Sequence, residues 1–330
     1  MKWTHGLSVV NNRTTELSHL RRPVVFLSGA TAVGKTQTVF DLSDKLNIRI
    51  ISADAAQVFR GMDIGTAKPD RSVLDRYPHC LVDVRDPWQS YSAAEFCHDA
   101  YREIERAHAD GVIPVLTGGT MFYFSALLNG LSDLPSADKE TRNRIIRKAE
   151  KSGWEALHGE LVSIDSELGA KLHSHDKQRI QRALEIHYMT GRKPSSVMKE
   201  CEPVPCPWPV LHLTLFHTDR RLLHSRIAQR FDEMLDRGLV EEVKRLRCHP
   251  KISRESTAMK TVGYRQTWNW LEGDINNIEM RETTIAATRQ LAKRQLTWLR
   301  HTAGVVWIPA GRLDTSSIVC DYIKIFTSCK

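Results

Sequence analysis

Gly29, Ala30, Thr31, Ala32, Val33, Gly34, Lys35 and Thr36 fit the spacing G-x-x-x-x-G-K-[ST], and the chemistry of that spacing is the holding of a phosphate chain. The glycines let successive backbone N–H groups turn inward on an anion, and a helix starting there adds its partial positive end. In such a loop Lys35 reaches the terminal phosphate and Thr36 offers its hydroxyl to a magnesium ion. Asp54 is the second candidate. It closes the run Ile48 to Ala53, so a strand ending there would bring its carboxylate to the same sheet edge as the glycine loop. A carboxylate in that place can hold magnesium through water or accept a proton from an attacking nucleophile. Its simplest other role is to cap the next turn.

These groups need a frame to hold them. Pro23 to Ser28 is an apolar run of strand length directly before the loop, and behind it Val39, Leu42 and Leu46 recur at helical spacing. A glycine-rich turn with no ligand is the competing reading, and strand, loop and helix in this order favour the phosphate cradle. Ser92 to Glu95 is a capping box ahead of a helix that Gly111 ends, and Val112 to Thr117 reads as a further strand closed by Gly118, Gly119 and Thr120. The alternation predicts an α/β fold, a P-loop NTPase-like parallel sheet flanked by helices. From Leu134 the character changes. Residues 136–200 are charged and helical without a strand candidate, which reads as an inserted helical subdomain, and the four prolines of Cys201 to Pro209 mark its boundary. The expected organisation is a loose leader over 1–22, a first part of the core over 23–135 and the insertion over 136–200. The core then continues over 201–310, with helices near 219–237, 239–248, 256–271 and 277–301 and a last strand at 305–308, before a poorly packed tail at 311–330.

Hydrophobic content of 41% and charged content of 26% are ordinary for a globular chain. No apolar run nears the roughly 18 residues that span a bilayer, and the first residues lack the apolar stretch of a secretion signal. Seven cysteines without a C-x-x-C pair argue for a reducing compartment, so a cytoplasmic location without membrane contact is expected. Cys201 and Cys206 have no second pair to complete a zinc site, and His173, His175 and His187 read as surface residues. The formal net charge of +8 favours a polyanionic partner. Its distribution says more. Residues 171–193 hold six Lys or Arg against two acids; Arg220, Arg221, Arg226 and Arg230 follow Asp219 with no acid among them; and Arg281, Arg289, Lys293, Arg294 and Arg300 face only Glu282. With Trp268, Trp270 and Trp298 beside the last group, the pattern suits phosphate tracking and base stacking. Any one stretch alone would be a solvated helix face with core tryptophans. Three of them after the phosphate-loop unit favour RNA.

At this point the motifs identify a family. The glycine loop, Ser52 to Phe59, Met62 to Pro69, Asp86-Pro87 with Tyr91 to Phe96, Gly118 to Tyr123, Asp176 to Glu185, Thr190-Gly191, Arg230 to Met234 with Gly238-Leu239, Val262 to Arg265 and Ala287 to Arg300 resemble the bacterial tRNA dimethylallyltransferases, in order, across about residues 23–308. The resemblance implies transfer of a dimethylallyl group from dimethylallyl diphosphate to N6 of the adenosine 3′ of the anticodon, in tRNAs reading codons that begin with U. Catalysis would then fall to Asp54 as base, with Lys35, Thr36 and Arg230 at the diphosphate, magnesium on Thr36, and the glycine loop from Gly29 to Thr36 as cradle. The same resemblance assigns the tRNA anticodon stem-loop to Asp54, Ala55, Ala56, Gln57, Thr120, Arg142, Gln178, Arg179, Ile180, Gln181 and Arg182. It continues through Lys260, Thr261, Val262, Gly263, Tyr264, Arg265, Ala287, Thr288, Arg289, Gln290, Leu291, Ala292, Lys293 and Arg294. A monomer is expected. Ala55 and Phe59 stand where many members have serine and tyrosine, and each lacks a hydroxyl those relatives have. Two other readings start from the same loop: an ATP-dependent small-molecule kinase with Asp54 as base, which gives no role to the basic helices, and an isopentenyltransferase acting on a free adenine nucleotide, against which the RNA-facing motifs weigh.

Overall fold

Val24 and Phe26 pack into one apolar cluster and Val25 and Leu27 into another, and all four are fully buried. A strand apolar on both faces needs cover on both. In the computed structural model, which describes residues 22–136 and 138–328, this strand is β1 (Val24–Gly29). It belongs to a sheet with β2 (Ile48–Ser52), β3 (His79–Cys80), β4 (Ile113–Thr117), β5 (Val210–Phe216) and β6 (Val305–Pro309). The order is β3-β2-β4-β1-β5-β6 and every pairing is parallel. The carboxyl ends of β1, β2 and β4 therefore lie along one edge, which is where the glycine loop, Asp54 and Thr120 follow their strands.

Four helices belong to the first part of the chain: α1 (Lys35–Ser43), α2 (Arg71–Arg76), α3 (Ala93–Ala109) and α4 (Met121–Asn129). The capping box expected at the start of α3 is formed, Ser92 Oγ accepting from the Glu95 N–H and Glu95 from the Ser92 N–H. Phe96, Ala100 and Ile104 of α3 and Phe124 and Leu127 of α4 bury the sheet face that presents Val24, Phe26, Ile51 and Leu116.

Residues 129–205 form a separate compact unit. It consists of α5 (Lys139–Ile164, interrupted at Gly153), α6 (Ser166–Lys171), α7 (Lys177–Thr190) and α8 (Pro194–Glu200). Its own cluster of Ile145, Leu157, Leu161, Ile180 and Leu184 holds it together, and no strand occurs among its described residues. The chain rejoins the sheet unit where the Cys206 N–H donates to the Leu128 carbonyl.

The remaining helices are α9 (Arg220–Asp236), α10 (Leu239–Arg247), α11 (Tyr264–Glu272), α12 (Asn277–Arg300) and α13 (Thr315–Ser328). Ile227 and Phe231, Val243, Trp268, and Ile285 and Ala292 come from α9 to α12 in turn, and they enclose a third cluster with Val58, Phe59 and Met62. Three expectations change. The helix expected over 256–271 is a 3-10 turn at Ala258–Lys260 and then α11, parted at Gly263, whose φ of 94° no helix accepts. The short edge strand β3 and helix α2, between Arg71 and Cys80, add to the expected elements. Within 311–330, expected as a poorly packed tail, Thr315–Ser328 form α13: Val319, Cys320 and Ile323 are buried against Leu213, Leu215, Val39 and Leu42, on the sheet face opposite α3. The leader expected at 1–22 lies, apart from Arg22, outside the described residues.

Candidate active site

The end of β1 approaches its neighbour so closely that a Cβ on Gly29 would stand 2.6 Å from the Leu215 carbonyl oxygen. From that point the glycine loop turns, with Ala32 in the left-handed region at φ 62°. Arg226 Nε of α9 donates to the Ala32 carbonyl at 3.0 Å. The Thr31 N–H donates to Gln295 Oε1 of α12 at 2.9 Å. Lys35, in the first turn of α1, donates from Nζ to the carbonyls of Gly29 and Ala30, both at 2.9 Å. Thr36 is exposed, and its hydroxyl makes no hydrogen bond among the described residues.

Opposite this loop, the ends of β2 and β4 are pressed together. A Cβ on Gly118 would fall 2.1 Å from the Ala53 carbonyl oxygen, and the Thr120 N–H donates to that same carbonyl at 3.1 Å. The Ala55 N–H donates to Thr120 Oγ1 at 2.9 Å. Asp54 Oδ1 accepts from the N–H groups of Ala56 at 2.9 Å and Gln57 at 3.4 Å, so the capping role is real. Its other carboxylate oxygen, Oδ2, takes no hydrogen bond from the described residues.

Both sides line one cavity of about 630 Å³, within the range of small-molecule sites. Thr31, Lys35, Thr36, Asp54, Ala55, Ala56, Gln57, Thr120, Arg230, Lys260, Thr261, Val262, Leu291 and Arg294 are all on its wall. Burial and the nearby Arg230 charge lower the Lys35 pKa to about 8, with Asp54 opposing. Burial also lowers the Arg230 pKa, again opposed by Asp54. Neither cation forms an ion pair among the described residues. Two mutually repelling, partly desolvated cations beside a loop of backbone donors call for a polyanion, which would relieve both.

The site has parts that sequence reasoning missed. Buried Glu242 of α10 accepts from the N–H groups of Asp63, Ile64 and Gly65 at 3.0, 2.9 and 3.2 Å, fixing the loop whose Thr66 and Pro69 reach the cavity. Buried Lys68 ties the same loop to Asp63 and Asp83, each at 2.6 Å, and to the Phe59 carbonyl. Phe122, 60% exposed and inside the Gly118 to Tyr123 motif, and Trp298, already expected to stack on bases, add aromatic wall.

Several residues expected to face RNA are placed otherwise. Tyr264 is fully buried and donates its hydroxyl to Glu242 at 2.5 Å, so its pKa is driven upward by burial and by that carboxylate. Ile180 and Ala292 sit in apolar clusters, Gly263 is buried with its N–H on Gln266, and Trp268 is core. The side chains of Tyr264, Ile180, Ala292 and Trp268 are thus taken up in packing. In the helical unit, Arg142, Gln181 and Arg182 converge on the buried carboxylate of Glu185, while Gln178 and Arg179 are exposed. Gly263 and Thr288 line a smaller chamber that shares Asp54, Arg230 and Leu291 with the main cavity, whereas Gln290, Lys293 and Arg294 line a surface groove along α12 with Trp298. Arg265 and Arg289 are exposed and Ala287 is half-buried.

A parallel sheet with a glycine loop at the carboxyl end of its central strand and a facing carboxylate defines a P-loop-type group-transfer fold. The IPP transferase family model matches residues 57–302, and the chain belongs to that family. It is 51% identical over 284 residues to the tRNA dimethylallyltransferase of Thiobacillus denitrificans, covering 86% of this chain and 90% of that one. Against the enzyme of the same name from Alkalilimnicola ehrlichii it is 49% identical over 287 residues, 87% and 90% of the two chains. Among solved structures, the tRNA isopentenylpyrophosphate transferase of Bacillus halodurans superposes with a TM-score of 0.68 at 33% identity, covering 93% of this chain and 97% of that one. A eukaryotic dimethylallyltransferase captured acting on tRNA gives a TM-score of 0.77 at 28% identity, over 92% and 80% of the chains. Among the described residues, no helix is long and apolar enough to cross a membrane.

Proposed function

We propose that this protein transfers the dimethylallyl group of dimethylallyl diphosphate to N6 of the adenosine 3′ of the anticodon in tRNAs reading U-initial codons, releasing diphosphate. The observation that carries the reading is the shared cavity: Asp54, one of whose oxygens takes no hydrogen bond from the described residues, lines the same space as Lys35, Arg230 and the glycine loop. The relatives at about half identity support it.

The exocyclic amine of adenine is a poor nucleophile, because its lone pair is delocalised into the ring. Asp54 orients that amine and takes its proton as the N6–C1 bond forms, while the C1–O bond breaks and its electron pair leaves on diphosphate. The glycine-loop amides, Lys35 and Arg230 stabilise the charge that builds there. Magnesium would fit the Thr36 hydroxyl, which is exposed and makes no hydrogen bond among the described residues, with diphosphate oxygens completing its shell. When bound it would neutralise charge on the leaving group. The adenine must leave the anticodon-loop stack to enter the cavity, and the exposed bases of α12 grip the RNA backbone beside the entrance. The protein acts alone, as a monomer in the cytoplasm.

Incubation with labelled dimethylallyl diphosphate and, side by side, U-codon tRNA, AMP and ATP tests the reading. Label is expected on tRNA only. Label confined to AMP, or turnover of ATP, refutes it.

A further inference from the structure

Gln295 is a buried polar residue, 5% exposed, on the inner side of α12, and it touches both halves of the site. Its Oε1 accepts from the Thr31 N–H at 2.9 Å. Its Nε2 donates to the Gly119 carbonyl at 2.6 Å. A backbone N–H on one side and a carbonyl on the other admit only this amide orientation. Gly119 makes room for the side chain, since a Cβ there would stand 2.8 Å from Nε2. From Gly119 the connection runs on. Thr120 bonds the Ala53 carbonyl and the Ala55 N–H on either side of Asp54. One amide thus joins the loop that holds diphosphate to the turn after β4, and Thr120 carries the link on to the loop of Asp54, three segments that follow different strands.

We propose that Gln295 is a positioning residue that sets the spacing between the diphosphate cradle and Asp54. It lines the same cavity, but its amide oxygen and nitrogen are both taken by Thr31 and Gly119, and it acts through them. The inference rests on the transfer reaction proposed above. An in-line attack tolerates little misplacement of nucleophile and leaving group, so loosening the amide strut lowers the rate of the bound complex and leaves the binding of each substrate nearly intact.

The test uses Gln295→Met, which keeps volume and loses both hydrogen bonds, and Gln295→Glu, whose carboxylate keeps the acceptor and loses the donor. With tRNA and dimethylallyl diphosphate, Gln295→Met should lower kcat by about 10–100-fold, with both KM values within about twofold of the wild type. For Gln295→Glu, the ratio of its kcat to that of the wild type should rise as pH falls from about 8 to 6, because a buried carboxyl that regains its proton can again donate to Gly119. A wild-type-like kcat in Gln295→Met, a loss seen only in KM, or a pH-independent ratio in Gln295→Glu overturns the inference. If Gln295→Met fails to fold, the pH-dependent ratio of Gln295→Glu decides alone. Wild-type enzyme inactive on tRNA sinks the transfer reading and this inference with it, whereas active wild type with unaffected variants sinks only the inference.

Discussion

On the proposed reading Asp54 has two jobs: Oδ1 caps the turn through Ala56 and Gln57, and Oδ2, which takes no hydrogen bond from the described residues, serves as the base. The roles separate in Asp54→Asn, which keeps an acceptor for the turn and cannot take a proton. Single-turnover transfer should slow by about 10²–10⁴-fold, with tRNA affinity within about twofold and an unchanged melting curve; near-normal turnover would remove the base role. Lys35 gives a pH signature. With its pKa lowered to about 8 by burial and by Arg230, free enzyme loses the ammonium as pH rises through that value. The kcat/KM for dimethylallyl diphosphate should therefore fall above about pH 8. The bound anion favours the charged lysine, so kcat should hold to higher pH. That the glycine loop and Asp54 meet at one sheet edge was legible in their local patterns, whereas Arg230 joined them only through the family resemblance. Gln295 lies inside a recognised motif, but its partners are 264 and 176 residues away, and no local pattern carries such a bond. The hydroxyl absent at Phe59 comes from a position that is 2% exposed in an apolar cluster.

At the scale of the element, α12 presents a basic surface that remains available, as do Arg220 and Arg221 at the start of α9. Arg289, Lys293, Arg294 and Arg300 are exposed and form no ion pair among the described residues, whereas Arg281 is held by both oxygens of Asp232 at 2.7 Å. Replacing Arg289 and Lys293 by alanine should make the slope of log K against log salt for tRNA shallower, by about 0.7–0.9 for each phosphate no longer neutralised. Arg281→Ala should leave it unchanged, and filter binding across a salt series measures both. Counting charges along the sequence overstated the second surface, at 171–193. Lys171 pairs with Glu167, Arg192 with Glu200 and Arg182 with Glu185, and two of those acids lie outside the stretch. Helix α13 was missed for another reason. Ile318, Val319, Tyr322, Ile323 and Phe326 recur at helical spacing, but polar residues at either end mask the pattern.

At the scale of the molecule, α13 closes the sheet face opposite α3, and its loss would uncover Leu213 and Leu215. Ile323→Ala should cost about 2–5 kcal/mol of stability, read as a lower denaturant midpoint, with transfer at ordinary assay temperature retained because α13 contributes no residue to the cavity. A shift in activity without a shift in midpoint would show that the helix does more than pack. The strand order has a consequence for synthesis. Val25 pairs with Leu211, so one edge of β1 stays bare until the intervening 129–205 unit has been made, on the order of 10–40 s at typical translation rates of ~5–20 residues per second. Those helices are stabilised by neighbours close in sequence and can condense meanwhile. The strand that leads into the glycine loop can thus pair with β4 on one side well before β5 exists to cover the other, and its Val-Val-Phe-Leu run needs shelter on that side of the nascent chain.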